Sequence, residues 1–205
     1  IKALIIVKPS LPEHQVVFTQ LIQQHSGSLV QSLKAHTDTS WHWFENQLGY
    51  NNALLSESLL LAGDFLNNSE LTDFGTSSLQ FLIDETFATN IYQPIGHAKW
   101  YKKNEVRSYF DQQPEDPASM ILALTTAYKL TRLDSYKNLA KKCFSWFLGN
   151  NIIQKSLYNY ETGGCYDGLH PDRVNLNQGA ESLVSYLLSR LAMTELDTTA
   201  VSYTH

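Results

Sequence analysis

The chain has 205 residues, enough for one substantial core, and its composition, 43% hydrophobic and 17% charged, is that of an ordinary globular protein. The net charge of −5 and the lack of a Lys/Arg cluster argue against a nucleic-acid surface, and no apolar run is long enough to span a bilayer. Two cysteines are too few for a disulfide framework, so we expect a cytoplasmic protein.

The N-terminal stretch is ambiguous. Residues 3–7 form an apolar run that fits either a strand or a helix end, and Pro9 and Pro12 stop it. We therefore assign residues 1–12 to an N-terminal extension or to the end of a preceding domain. Residues 13–205 are predicted to form a single α/α-hairpin domain.

Apolar residues recur at helical spacing along most of the remaining chain, and no segment shows sustained period-2 alternation. Short connections within pairs of helices indicate antiparallel hairpins, so the predicted fold class is all-α. The helix of residues 178–193 has the cleanest heptad-like apolar face. The six predicted helices cover residues 13–35, 51–66, 70–87, 116 onward, 134 to about 148, and 178–193.

Metal and cofactor chemistry finds little support. His14, His25 and His36 are spaced by eleven residues, so each pair lies about 16 Å apart along a helix, too far to share one metal ion. The zinc-binding patterns Cys-x-x-Cys and His-Glu-x-x-His are missing, and we predict neither a metal nor a cofactor. A thiol–imidazole pair of Cys165 and His170 is a minor alternative.

Four clusters of aromatic, acidic and amide residues lie in or near the predicted loops, at residues 41–52, 96–101, 109–115 and 163–181. Sugars present C–H faces that stack on aromatic rings and hydroxyls that bond to carboxylate, amide and imidazole groups. The clusters therefore favour a carbohydrate cleft. The predicted binding residues are Trp41, Trp43, Tyr50, Asn51, His97, Trp100, Gln112, Gln113, Tyr166, His170, Asn177, Gln178 and Glu181.

A glycosidase needs two carboxylates across the scissile bond, and Glu45, Asp111 and Asp167 are the first candidates. Several clusters also have a structural interpretation. The two tryptophans at positions 41 and 43 fit buried core residues equally well. Glu115, Asp116 and Glu181 fit helix N-termini, where negative charge is favourable; Asp116 followed by Pro117 is typical of a helix start.

Taken in order, five motifs resemble the all-helical C-terminal domain found behind bacterial family 4-type glycosyltransferases. That domain is similar to the α/α-toroid, six-hairpin glycosidase-like superfamily. The resemblance covers about residues 40–191 and implies a partial α/α toroid, because a complete ring needs about twelve helices. The motifs are Trp41–Glu45, Tyr50–Leu54, Phe110–Pro114, Gly163–Gly168 and Asn177–Ser182.

The resemblance leaves three functions open. The first is a carbohydrate-binding or carbohydrate-processing domain, working on a sugar or oligosaccharide behind an upstream glycosyltransferase domain. The second is a glycoside hydrolase that uses two carboxylates. The third is a non-catalytic interaction module. Such transferases use two glutamates eight positions apart for the nucleotide-sugar donor, and this chain has no such pair, so we do not expect it to transfer a sugar alone.

Overall fold

The computed structural model describes the backbone of residues 1–201, and their side chains except those of Lys8 and residues 198–201. The described fold is all-α, as predicted, with four two-residue strands in the loops. Residues 3–7 lie in a short helix, which resolves the ambiguity of that stretch. The helices are α1 (Lys2–Val7), α2 (Gln15–His36), α3 (Ala53–Leu66), α4 (Ser69–Thr86), α5 (Glu115–Thr131), α6 (Asp134–Ser145) and α7 (Ala180–Val201).

Two tight turns make the central hairpins. Between α3 and α4, Asn67 adopts a left-handed conformation, and the Asn68 side chain accepts a bond from the Leu71 amide at the start of α4. Between α5 and α6, Arg132 is the left-handed residue. Turns this short leave no room for a crossover, so each pair of helices runs antiparallel.

The hairpins form two layers of a partial α/α toroid. Helices α3, α5 and α7 pack side by side, α4 packs on α3, and α6 packs on α5 and α7. Gly75 lets α3 and α4 approach closely, because a Cβ there would lie 2.8 Å from the Leu60 amide nitrogen. The starts of α3 and α5 lie together, because the Asn51 amide donates to Asp116, so these two helices run in the same direction. Helix α7 begins at the same end, because its first turn and Glu115 line one cavity.

Loops before α3, α5 and α7 are tied together at that end. Strand β1 (Gln47–Leu48) pairs antiparallel with β2 (Tyr101–Lys102) and so joins the loop before α3 to the loop before α5. Strand β3 (Gly168–Leu169) pairs with β4 (Val174–Asn175) in the loop before α7. A bridge between Gln112 and Leu169 links these last two loops.

The structure differs from the sequence prediction at two helices. Helix α5 begins at Glu115 with Pro114 at its N-cap position, so Asp116 lies inside the first turn instead of capping it. On α7, four residues of the predicted apolar face are exposed, while serines at positions 182, 185 and 189 are buried. Among the described residues, no helix is long and apolar enough to cross a membrane.

Candidate functional site

A buried carboxylate organises the start of α5. Asp116 is 4% exposed and accepts a hydrogen bond from the Asn51 backbone amide at 2.8 Å. Its other oxygen lies 2.7 Å from His97 Nε2. Burial raises the pKa of Asp116, against the opposing effect of His97. One side chain thus connects the loops that precede α3 and α5 and fixes the orientation of the His97 ring.

Three aromatic rings gather beside this carboxylate. The His97 ring centroid lies 4.5 Å from Trp100 and 6.1 Å from Tyr50, whose side chain is 61% exposed. Burial alone would lower the pKa of His97, but its bond to Asp116 and the charges of Asp116, Glu115 and Asp111 together raise it. The rings form an accessible aromatic shelf with His97 at its centre.

A second carboxylate–imidazole pair joins the loops before α5 and α7. His170 Nδ1 lies 2.6 Å from Asp111 Oδ1, and both side chains are partly exposed, 27% and 43%. The pair adjoins the shelf, because the His97 amide donates to the Asp111 carbonyl at 2.8 Å. The carboxylate holds the ring by Nδ1, so the partly exposed ring offers its other nitrogen, in a fixed orientation, to a polar ligand.

An acidic cavity of about 330 Å³ opens at the same end of the molecule. Burial raises the pKa of the half-buried Glu115 to about 7, and the negative charges of Asp116 and Glu181 add to this effect. A carboxyl of this kind holds or releases a proton near neutral pH. The lining residues include Gln113, Glu115, Asp167, Asn175, Glu181 and Ser182.

At the edge of this cavity, one carboxylate oxygen of Asp167 makes hydrogen bonds that stabilise the start of α7. Asp167 Oδ1 accepts bonds from the Gly179 amide at 2.7 Å and from Ser182 Oγ at 2.6 Å, so it caps the start of α7. Both of these bonds use Oδ1, while the carboxylate as a whole lines the cavity. Its position is therefore compatible with both a capping and a ligand-binding role.

Three of the predicted binding residues have side chains that the structure buries in the core. Trp41 and Trp43 are 2% and 0% exposed, and the Trp41 indole donates to the Glu45 carbonyl at 2.7 Å. Gln112 is 0% exposed; it accepts from Trp146 Nε1 at 2.8 Å and donates to the Tyr109 carbonyl at 2.9 Å. With both ends of its amide engaged, Gln112 holds the loop to the core and has no free group for a ligand.

The remaining candidates lie at the rim or away from the cavity. Tyr166 accepts a bond from Asn159, and Gln178 accepts one from Thr162. Asn177 is exposed, and its carbonyl accepts from the Asp167 amide. Glu45 is exposed beside β1, and its backbone carbonyl bonds to an indole of the core. The structure therefore brings together the clusters of residues 96–101, 109–115 and 163–181, with Tyr50 and Asn51 from the cluster of residues 41–52. Residues 41–44 of that cluster turn inward instead.

Sequence reasoning placed Glu115 at the end of the cluster of residues 109–115, gave helix capping as the structural interpretation of Glu115 and Asp116, and ranked neither among the catalytic candidates. In the structure, Asp116 bonds to His97 and Glu115 lines the acidic cavity. The signal available was two adjacent carboxylates directly after an aromatic and amide cluster. What could not be seen was the burial that raises the pKa of Glu115 and Asp116, since it depends on loops that come from elsewhere in the chain.

The described His, Cys, Asp and Glu side chains also bear on metal and thiol chemistry. Within the described residues, no group of three or more His, Cys, Asp or Glu side chains could hold a metal ion. Both cysteines are free and buried, and burial raises the pKa of Cys165 to about 12. Its thiol stays protonated at neutral pH, and His170 bonds to Asp111, which argues against a thiol–imidazole nucleophile.

Comparison with known proteins supports the fold. No protein-family model matches the sequence, and no characterised protein matches it significantly. Among solved structures, the chain is similar to a glycoside hydrolase family 76 protein, described as a mannosidase, from Bacteroides thetaiotaomicron VPI-5482. The TM-score is 0.57 and the sequence identity 12%, and the match covers 74% of this chain and 40% of that one. The likeness places this chain among all-helical α/α-toroid folds and covers less than half of that hydrolase.

Proposed function

We propose that this chain is a carbohydrate-binding helical domain whose ligand sits between the aromatic shelf and the acidic cavity. The observation that carries the proposal is the convergence of both features at the end where α3, α5 and α7 begin. Tyr50 and Trp100 supply ring faces for the C–H face of a sugar, and Asp111 and Glu115 supply carboxyl groups for its hydroxyls.

The charge of the site favours a neutral sugar. The described lining of the cavity contains three carboxyl groups, those of Glu115, Asp167 and Glu181, and no lysine or arginine. A phosphorylated or uronic-acid ligand would bring its negative charge against them at a cost in free energy. In its cellular setting, the domain is proposed to be cytoplasmic and to form the C-terminal part of a bacterial glycosyltransferase-type protein.

Calorimetric titration with neutral monosaccharides and oligosaccharides, mannose-containing ones included, tests the binding proposal. Trp100→Ala and Asp111→Ala should each weaken binding at least about tenfold, which is about 1.4 kcal/mol. Tyr128→Ala is the matched control, because Tyr128 lies near the C-terminal end of α5, where its ring faces Arg132. Folded protein that gives no heat with any sugar would contradict the proposal.

Glycoside hydrolysis is the second candidate, and Glu115 is the observation that favours it. A carboxyl with a pKa of about 7 suits a general acid, and Asp167 and Glu181 line the same cavity as possible partners. A panel of aryl glycosides distinguishes the two functions. Turnover that Glu115→Gln abolishes while sugar binding persists would establish catalysis, and a silent panel would leave binding alone.

A further inference from the structure

A tyrosine in the loop before α7 is exposed to water and yet held in place. Tyr160 is 73% exposed. Its ring packs edge-on with that of Tyr158, with the two centroids 4.8 Å apart, and the Tyr158 ring stacks in turn on Tyr186 of α7 at 4.9 Å. Tyr160 is therefore anchored to α7 through a second ring, while most of its own surface remains accessible.

The backbone around Tyr160 is closed into a tight turn. Asn159 Oδ1 accepts hydrogen bonds from the amides of Glu161 and Thr162, at 2.9 and 3.3 Å. Gly163 adopts a left-handed conformation, and its amide donates to the Asn159 carbonyl at 2.9 Å. Because the turn is fixed before any ligand arrives, the Tyr160 ring loses little conformational freedom when a ligand stacks on it.

This turn lies against the start of α7, next to the acidic cavity. Thr162 Oγ1 donates to Gln178 Oε1 at 2.7 Å, and a Cβ on Gly164 would overlap the same Gln178 amide group. The residue after Gln178 is Gly179, which lines the cavity. Tyr160 lies two positions before Thr162, so at most about 7 Å of backbone separates the tyrosine from this contact.

The aromatic shelf, the acidic cavity and Tyr160 follow one another along this end of the molecule. Helix α5 packs against both α3 and α7. The shelf residues Tyr50 and Trp100 come from the loops before α3 and α5. The cavity lies between α5 and α7, since Glu115 lines it from one helix and Glu181 from the other. Tyr160 comes from the loop before α7, so it lies beyond the cavity as seen from the shelf.

We propose that the ligand of this domain is a linear oligosaccharide and that Tyr160 binds one of its sugar units, beyond the cavity. This inference rests on the carbohydrate-binding function proposed above and extends it from one sugar to a chain of sugars. The exposed Tyr160 ring offers a flat face to the C–H face of a sugar. Asn177 is exposed and directly precedes Gln178, and it offers an amide to the hydroxyls of the same unit.

Such a site makes affinity depend on the length of the ligand. A short sugar that fills the shelf and the cavity does not reach Tyr160. A longer chain makes both contacts at once, and the second contact forms within a ligand that is already bound, so it strengthens binding without a second loss of translational freedom. Affinity should therefore rise when the chain becomes long enough to reach Tyr160 and then level off.

Calorimetric titration of the full chain with linear manno-, malto- and cello-oligosaccharides, from one unit to about six, tests the inference. In a series that binds, the longer chains should bind at least about fivefold more tightly than the shortest. Tyr160→Ala should remove this gain and leave the affinity of the shortest bound sugar unchanged, whereas Trp100→Ala should weaken binding at every length. Tyr160→Phe keeps the ring and should bind like wild type. Tyr128→Ala, near the other end of α5, is the matched control and should change no affinity.

The outcomes separate this inference from the function on which it rests. Tyr160 is 73% exposed, so its variants should fold, and circular dichroism checks this. If no sugar gives heat with folded protein, the proposed function and the inference fail together. If sugars bind but longer chains bind no more tightly, or if Tyr160→Ala weakens short and long chains alike, the inference is overturned while carbohydrate binding stands. A Tyr160→Phe chain that loses as much affinity as Tyr160→Ala would overturn the stacking role of the ring.

Discussion

Two adjacent carboxyl groups at the start of α5 show how surroundings decide the role of a residue. Asp116 is fully buried and bonded to the Asn51 amide and to His97, so it acts as a fixed anchor. Glu115 is half-buried and faces the cavity, where burial and the neighbouring negative charges raise its pKa to about 7. Of the two, Glu115 is the group that can exchange a proton with a ligand.

The raised pKa of Glu115 predicts a dependence of stability on pH. The unfolded chain loses this proton near pH 4.5, whereas the folded chain keeps it to about pH 7. The folded state therefore binds more protons between these values, and the contribution of Glu115 to stability is lost as the pH rises from 4.5 to 7. Glu115→Gln removes this contribution, so its melting temperature should rise relative to wild type as the pH increases across that window.

Melting curves of both chains between about pH 4 and pH 8 measure this difference. Glu161→Gln, at an exposed residue of the loop before α7, is the matched control and should track wild type at every pH. If Glu115→Gln also tracks wild type, the carboxyl titrates as it does in the unfolded chain. The physical reason for assigning a general-acid role to Glu115 would then be lost.

Individual residues also show where sequence reasoning stops. The aromatic and amide clusters were visible in the sequence, but it was not visible which rings are buried and which are accessible. Trp43 and Trp100 both lie in such clusters; Trp43 is 0% exposed, whereas Trp100 forms part of the aromatic shelf. Gln112 carries ligand-like chemistry, yet its partner is an indole 34 residues away. Such pairings depend on tertiary contacts that neither spacing nor composition encodes.

At the scale of elements, one arginine side chain ties together separate parts of the loop before α5. Arg107 donates to the carbonyl oxygens of Glu85, Gln93 and Pro94, and its guanidinium lies 4.7 Å from the centre of the Tyr109 ring. These contacts fix both ends of the segment that carries His97 and Trp100. The aromatic shelf thus depends on an arginine that does not belong to it.

Replacing Arg107 with lysine should loosen this loop. A single ammonium group cannot serve three carbonyls held by a planar guanidinium, and we expect a loss of about 2 kcal/mol in stability. Urea denaturation measures the loss, and limited proteolysis should cut residues 88–106 faster. Arg132→Lys is the control, since Arg132 is exposed and should tolerate the change. Equal proteolysis in all three chains would show that other contacts hold the loop.

Helix prediction succeeded where the apolar period coincided with local end signals. The turn at Asn67 and Asn68 separates α3 from α4 as expected, because asparagine both adopts left-handed backbone and caps the next helix. The apolar period of α7, in contrast, did not indicate which face of that helix is buried. There the side that packs on α5 and α6 is rich in serine, and the leucine-rich side faces out. Periodicity finds an apolar face but does not say which neighbour covers it.

At the scale of the whole molecule, α1 takes part in the layer formed by α3, α5 and α7. Lys2 pairs with Glu57 of α3 at 2.8 Å, and Thr126 of α5 donates to the same carboxylate oxygen at 3.1 Å. The Glu57 side chain is 3% exposed. Ile1, Leu4 and Ile5 pack against the core. Because α1 makes these contacts, its removal tests whether the folded unit begins at residue 13.

A chain shortened to begin at Glu13 tests that boundary. It would leave the Glu57 carboxylate without its ion pair and uncover apolar core surface, so we expect a loss of about 3 kcal/mol in urea denaturation. Glu57→Gln in the shortened chain should recover part of the loss, because a neutral amide costs less to bury and can still accept from Thr126. If the shortened chain unfolds at the same urea concentration as the full chain, residues 1–12 are an extension, as the sequence predicts. If it is weakened and Glu57→Gln recovers nothing, the loss comes from the apolar contacts of α1 alone.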